Sequence, residues 1–208
     1  MEEISTNATV VYVDPSCPFA WITSRWLAEV EAQSGIDLQI RLLSLSVVNE
    51  HREIDGWYRG FNDHAWGPAR VMAAVAAAHG TDAARRFYEA FGKRFHVELD
   101  TGDDADRDAV AAEALADAGL PASSIDAATD ERWDDELRSL TRAALVAVGL
   151  DVGVPITVID GVATSGPVLS EIPRGDAALA LFNATRTLAR HPGFVRIERQ
   201  RIGALHVA

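Results

Sequence analysis

Cysteine is almost absent from this chain. Cys17 is the only one in 208 residues, which excludes any intramolecular disulfide and leaves no disulfide pattern from which to read a redox compartment. Positive charge is also scarce. Nineteen Lys and Arg stand against 31 Asp and Glu, for a formal net charge of −12. A surface of that sign repels phosphate backbones and anionic headgroups, so neither nucleic acid nor a membrane is expected as partner. No apolar stretch approaches the roughly 20 residues that span a bilayer, and Met1 to Thr9 shows no charged-then-apolar leader; the expectation is a soluble cytoplasmic protein. The histidines, His51, His64, His79, His96, His191 and His206, show no ligand spacing. No metal is expected, and each reads as a surface or capping residue. No glycine spacing matches a nucleotide loop, so no flavin or nicotinamide is expected. Internal repeats are missing too.

What is present is a regular order of elements. Thr9 to Val13 (TVVYV) is short, β-branched and aromatic, as a buried strand requires. After Asp14-Pro15-Ser16, the positions Ile22, Trp26, Leu27 and Val30 recur at helical spacing, and Gly35 closes that helix. Leu38 to Leu45 alternates as a second strand. Strand, helix, strand is the unit of a parallel sheet. From Ala65 to Leu150 the chain is alanine-rich and helical, in the runs VMAAVAAAH, ARRFYEAFGKRF, DAVAAEALADAG and DDELRSLTRAALVAVG, punctuated by Gly80, Gly102, Gly119 and Pro121. The acidic run Asp103-Asp104 with Asp106 reads as a solvated helix start. Pro155 to Ile159 is a strand, Asp160-Gly161 a hairpin turn, and Val162 to Thr164 the return, stopped by Gly166-Pro167. Asp176 to Ala189 is an amphipathic helix. Phe194 to Ala208 has no clear assignment.

The order β-α-β, helical block, β-β-α is the thioredoxin topology. The expected division is a thioredoxin-like α/β domain from residues 1–62 and 151–208, with an all-helical insertion at 63–150.

Cys17 falls between the first strand and the first helix. Orphan N–H groups and the helix dipole favour negative charge there, and such thiols have pKa values below the free value. Pro18 suits the first helical position. The expectation is a partly exposed thiolate, with the N–H groups near Phe19 and Ala20 stabilising it. Against this stands the commonest fate of a free cysteine, a small buried hydrophobe. Gly153-Val154-Pro155-Ile156-Thr157 is the second element. A proline before a strand is ordinary; in a thioredoxin topology it is expected to be cis and opposite the sulfur, offering Val154's backbone to an extended thiol ligand. Asn49, at a strand end, and Trp57 and Tyr58, in a stretch made loop-like by Asp55-Gly56 and Gly60, are candidate substrate-pocket residues. Phe61, Trp66 and Trp133 are weaker ones, since aromatics are usually core.

Together DPSCPFAWITSRW, LSLSVVNEHR, HAWGPARV, VGVPITVIDG and SGPVLSEIPRG resemble the DsbA-like branch of the thioredoxin superfamily, above all the mycothiol-dependent nitroreductase (mycoredoxin-like) family, from about Val10 to about Ala189. That family's fold is a thioredoxin domain with a helical insertion. The resemblance implies a dimer and a Cys-Pro-Trp-Cys motif served by a low-molecular-weight thiol. Cys17 then matches the nucleophile, Pro18 the motif proline, and Pro155 the cis-proline. Asn49 and Tyr58 match polar pocket residues, and Trp21, which follows the motif as in relatives, is a further candidate for the substrate pocket. Phe19 replaces the motif tryptophan, Ala20 the resolving cysteine, and Val154 a usual threonine.

With Ala20 in that place, a mixed disulfide on Cys17 must be resolved by an outside thiol. The expected activity is that of a monothiol oxidoreductase or reductase, with mycothiol or glutathione as reductant and a small-molecule substrate. Kappa-class glutathione transferases and 2-hydroxychromene-2-carboxylate isomerases share this fold, carry Ser-Pro at the matching place and bind the thiol without bonding to it. They define an alternative in which Cys17 never forms a disulfide. A redox-inactive binding or scaffold protein is the third.

Overall fold

The computed structural model describes residues 8–99, 106–148, 152–200 and 203–208. Gly102, Asp103 and Asp104, and the chain before Ala8, lie outside these residues.

The first strand, β1 (Ala8–Val13), is buried along its whole length. Its alternation serves two cores. Val10 and Tyr12 pack with Ile156 and Val158 on one side, while Val11 and Val13 pack with Trp21, Trp26 and Phe182 on the other. Helix α1 (Pro18–Ser34) follows, with Cys17 as N-cap, Pro18 at its start, and Gly35 at φ +70° closing it with an N–H donated to Glu31 O. It crosses over to β2 (Asp37–Leu42), which lies parallel to β1 with Val11 opposite Ile40.

Strand β2 ends three residues before the expected Leu45. Ser44 caps a four-residue helix, α2 (Leu45–Val48), its Oγ accepting from Val47 N, and Ser44 N donates to Thr141 Oγ1. A hydroxyl that offers the backbone this cap outweighs the alternation of LQIRLLSL.

Every described element between β2 and β3 is helical. Helix α3 (Gly56–His79) begins where a loop was expected, because Asp55 Oδ1 accepts from Tyr58 N and caps it. It therefore runs through the 62/63 boundary drawn from the sequence. Helix α4 (Thr81–Gly92) leads into a π-helical segment, Lys93–Glu98. Helix α5 (Arg107–Asp117) is capped by Asp106, two short 3-10 turns follow at Ala122–Thr129 and Glu131–Trp133, and α6 is Asp134–Val148.

Strands β3 (Ile156–Ile159) and β4 (Val162–Ser165) form a hairpin whose turn residues Asp160 and Gly161 both have positive φ, the type I′ geometry. β3 pairs antiparallel to β1, giving the sheet order β2-β1-β3-β4. Helix α7 (Gly175–Arg190) packs on α1, where Trp26 Nε1 donates to Ala178 O. The tail left unassigned from sequence returns to the body: His206 N donates to Ser170 O, and Val207 O accepts from Trp21 Nε1 at 2.9 Å.

Candidate active site

The turn Asp14–Cys17 joins β1 to α1 and is held from within. Cys17 N donates to Asp14 O at 3.0 Å. Asp14 is fully buried, and its two carboxylate oxygens accept from Ser16 N at 2.9 Å and Leu45 N at 2.8 Å. One carboxylate thus ties the turn to the start of α2. The Val154–Pro155 peptide is cis, and Cys17 Sγ lies 4.0 Å from Val154 O, a weak thiol donor contact. The sulfur and the loop before β3, 137 residues apart in sequence, thus meet at the start of α1.

The environment of the sulfur departs from expectation. Cys17 is only 5% exposed. Phe19 and Ala20 N–H groups do face it and favour the thiolate, but burial outweighs them, the Asp14 charge adds to it, and the thiol is pushed up to about 12. The partly exposed thiolate read from sequence is therefore corrected to a covered, neutral thiol. At pH 7 such a thiol is overwhelmingly protonated. Asp14 itself is raised to about 6 by burial, against its two backbone hydrogen bonds.

Asn49 and Tyr58, which the resemblance marks as polar pocket residues, lie side by side. Asn49 Nδ2 lies 3.3 Å from Tyr58 Oη, 3.1 Å from Asn62 Oδ1 and 3.0 Å from Leu45 O. Burial raises the Tyr58 phenol, so it stays protonated. Both side chains line a cavity of about 490 Å³ with Leu45, Val48, Arg52 and Gly153. Gly153 neighbours Val154, so the cavity reaches the cis-proline loop.

Two other candidates do not join it. Trp21 is 4% exposed, tilted against Tyr88 and under the Arg25 guanidinium; it is core and not pocket wall. Trp57 is 66% exposed and stacks on Tyr58 and Phe61 without lining the cavity. Trp66 lies under Arg70 and Arg138.

Three groups that build the site were not read as site residues from the sequence: Asp14, which holds the turn, Asn62, which accepts from Asn49, and His96, which donates to Pro15 O. His96 contradicts its reading as a surface or capping residue. It is partly buried, its Nε2 is 2.9 Å from Pro15 O, and burial holds its pKa down to about 4. Only the local signal of an acid three residues before the cysteine pointed to any of these.

Comparison with known proteins agrees with this geometry. The family model for the mycothiol-dependent nitroreductase Rv2466c, called Rv2466c-like, matches residues 16–199. The uncharacterized protein Rv2286c of Mycobacterium tuberculosis is 33% identical over 190 residues, which covers 90% of this chain and 80% of that one. Among solved structures, a probable DsbA oxidoreductase from Streptomyces coelicolor matches with a TM-score of 0.55 at 18% identity, over 95% of this chain and 94% of that chain. Chlamydia trachomatis DsbA matches with a TM-score of 0.56 at 12% identity, over 87% of each. The fold is a DsbA-like thioredoxin fold. The chain belongs to the mycothiol-dependent nitroreductase Rv2466c-like family, with Ala20 where a resolving cysteine is expected.

Proposed function

We propose that the protein is a monothiol oxidoreductase that works with a low-molecular-weight thiol of the mycothiol or glutathione type through a mixed disulfide on Cys17. The observation that carries this is the meeting of the sulfur, the α1 N-terminus and the cis Val154–Pro155 peptide, with alanine three residues after the thiol. The reaction balances without a resolving cysteine. Cys17 gives up its proton and its thiolate attacks a disulfide RS–SR′, forming Cys17–S–SR and releasing R′S⁻, which takes up a proton. A second small thiol then attacks the mixed disulfide, restoring Cys17 and releasing a new small disulfide. The thiol ligand lies along the Val154 backbone beside Pro18, Phe19 and Ala20, and the cavity with Asn49 and Tyr58 takes its outer part. The acceptor is a small molecule.

In this reading the protein is cytoplasmic, a homodimer, and built as a thioredoxin-like domain with a helical insertion entered at α3. Among the described residues no helix is long and apolar enough to cross a membrane.

One observation favours a second reading. A neutral Cys17 can donate a hydrogen bond to the sulfur of a thiol bound but not bonded, as in kappa-class transferases. Intact mass after incubation with oxidised mycothiol or glutathione separates the two. The proposal expects one thiol increment, absent in Cys17→Ala and reversed by excess reduced thiol. No increment, together with conjugation of an electrophile by bound thiol, would establish the second reading instead.

A further inference from the structure

The turn that carries Cys17 is held on its outer side by a segment far away in sequence. Residues Lys93–Glu98 form a π-helical turn, a rare conformation frequent at functional sites. His96 lies within it, and its Nε2 is 2.9 Å from the Pro15 carbonyl. A carbonyl oxygen only accepts, so Nε2 carries the proton and the ring is the donor. The ring is fixed on two sides. It stacks on Trp21 at 5.8 Å between centroids and meets Phe95 edge-on at 5.0 Å. The remaining side-chain support of the turn is the Asp14 carboxylate; Ser16 Oγ is buried with no hydrogen-bond partner among the described residues.

We propose that His96 is a positioning residue for Cys17: its N–H, donated to Pro15 O, latches the Asp14–Cys17 turn against the π-helical segment and keeps the sulfur covered beside Val154. The inference builds on Cys17 as the reacting atom. A covered thiol is protected from adventitious oxidants and is delivered only to a ligand that enters along Val154. Removing the latch frees the turn to admit water. Solvation favours the thiolate, so general reactivity rises while aligned exchange at the cis-proline falls. The charged group that acts on His96 is Arg107, which also acts on Asp14.

The test compares His96→Phe, which keeps a ring without a donor, with His96→Gln, which keeps an N–H. Alkylation of Cys17 by iodoacetamide at pH 7.5 is followed by intact mass. His96→Phe is expected to alkylate about fivefold faster or more, with turnover by small thiol reduced, and His96→Gln to stay within about twofold of wild type on both. Phe87→Leu, a core change three ring contacts from His96 by way of Phe91 and Phe95, controls for general loosening and is expected to alkylate at the wild-type rate. Wild-type alkylation in His96→Phe, or equal acceleration in His96→Gln or Phe87→Leu, overturns the latch. Alkylation needs no substrate, so a wild-type protein that forms no mixed disulfide sinks the proposed function while leaving this result readable.

Discussion

At Cys17 two opposed effects act on one sulfur. The Phe19 and Ala20 amides favour charge, and removal from water disfavours it. A pKa near 12 in place of about 9 makes the balance on the order of 4 kcal/mol against the thiolate. Asp14 contributes to that balance when ionised. Its pKa is about 6, so its charge is present at pH 8 and gone at pH 5. Asp14→Asn keeps an oxygen for one of the two backbone donors and removes the charge. The variant is expected to alkylate Cys17 several-fold faster than wild type at pH 8, with the two rates converging at pH 5, where the wild-type carboxyl is protonated as well. Iodoacetamide kinetics read by mass measure this. Equal rates at pH 8 remove the Asp14 charge from the account.

Among the elements, the end of α4 is tightly packed against a ring. A Cβ built on Gly92 would stand 2.3 Å from Trp21 Cε3, and both residues are buried. Trp21 has nowhere to retreat, since its indole N–H is bonded to Val207 O and its ring is stacked on His96. Gly92→Ala is therefore expected to destabilise the protein by about 2 kcal/mol through overpacking, read as a lower denaturant midpoint; an unchanged midpoint would show that the π-helical turn yields without cost. This contact also marks the limit of what the sequence discloses. Strands β1, β3 and β4 and helices α1 and α7 are legible because period-2 and 3.6 patterns and the Asp160-Gly161 turn are local. The start of α3 is not, because Gly56 and Gly60 suggest a loop while a single carboxylate cap decides the matter. Around the candidate site, the place of Cys17 at the start of α1 and the loop of Pro155 before β3 are legible from element order, while Asn49 and Tyr58 rest on the family resemblance. The burial of Cys17, the placing of Trp21 in the core and the donor role of His96 are not legible. Each depends on a segment about 70 or more residues away whose side chains no periodicity forecasts.

For the molecule as a whole, two groups that hold the Asp14–Cys17 turn, buried Asp14 and partly buried His96, shift stability in opposite directions in acid. Asp14 has its folded pKa raised from 3.8 to about 6, so the folded state takes up a proton first, and this contribution to stability grows as pH falls from 6 towards 4. His96 has its folded pKa lowered from 6.5 to about 4, so the unfolded chain takes up the proton first, and stability declines over nearly the same range. Each shift is worth on the order of 3 kcal/mol, so the two largely cancel and leave wild type with a shallow profile from this pair between pH 7 and pH 4. Removing either group exposes the other. Asp14→Asn is expected to lose stability relative to wild type as pH drops from 7 to 4.5, and His96→Gln to gain it. Partly buried pairs such as Asp160 with Arg186 and Glu50 with Arg138 are untouched by either substitution and weaken in acid equally in all three proteins, so they drop out of the differences. Urea midpoints at pH 7, 5.5 and 4.5 give the two difference curves. Opposite slopes support a site that exchanges one proton between Asp14 and His96 on folding, whereas flat or parallel curves would mean that neither group is shifted by burial beside Cys17.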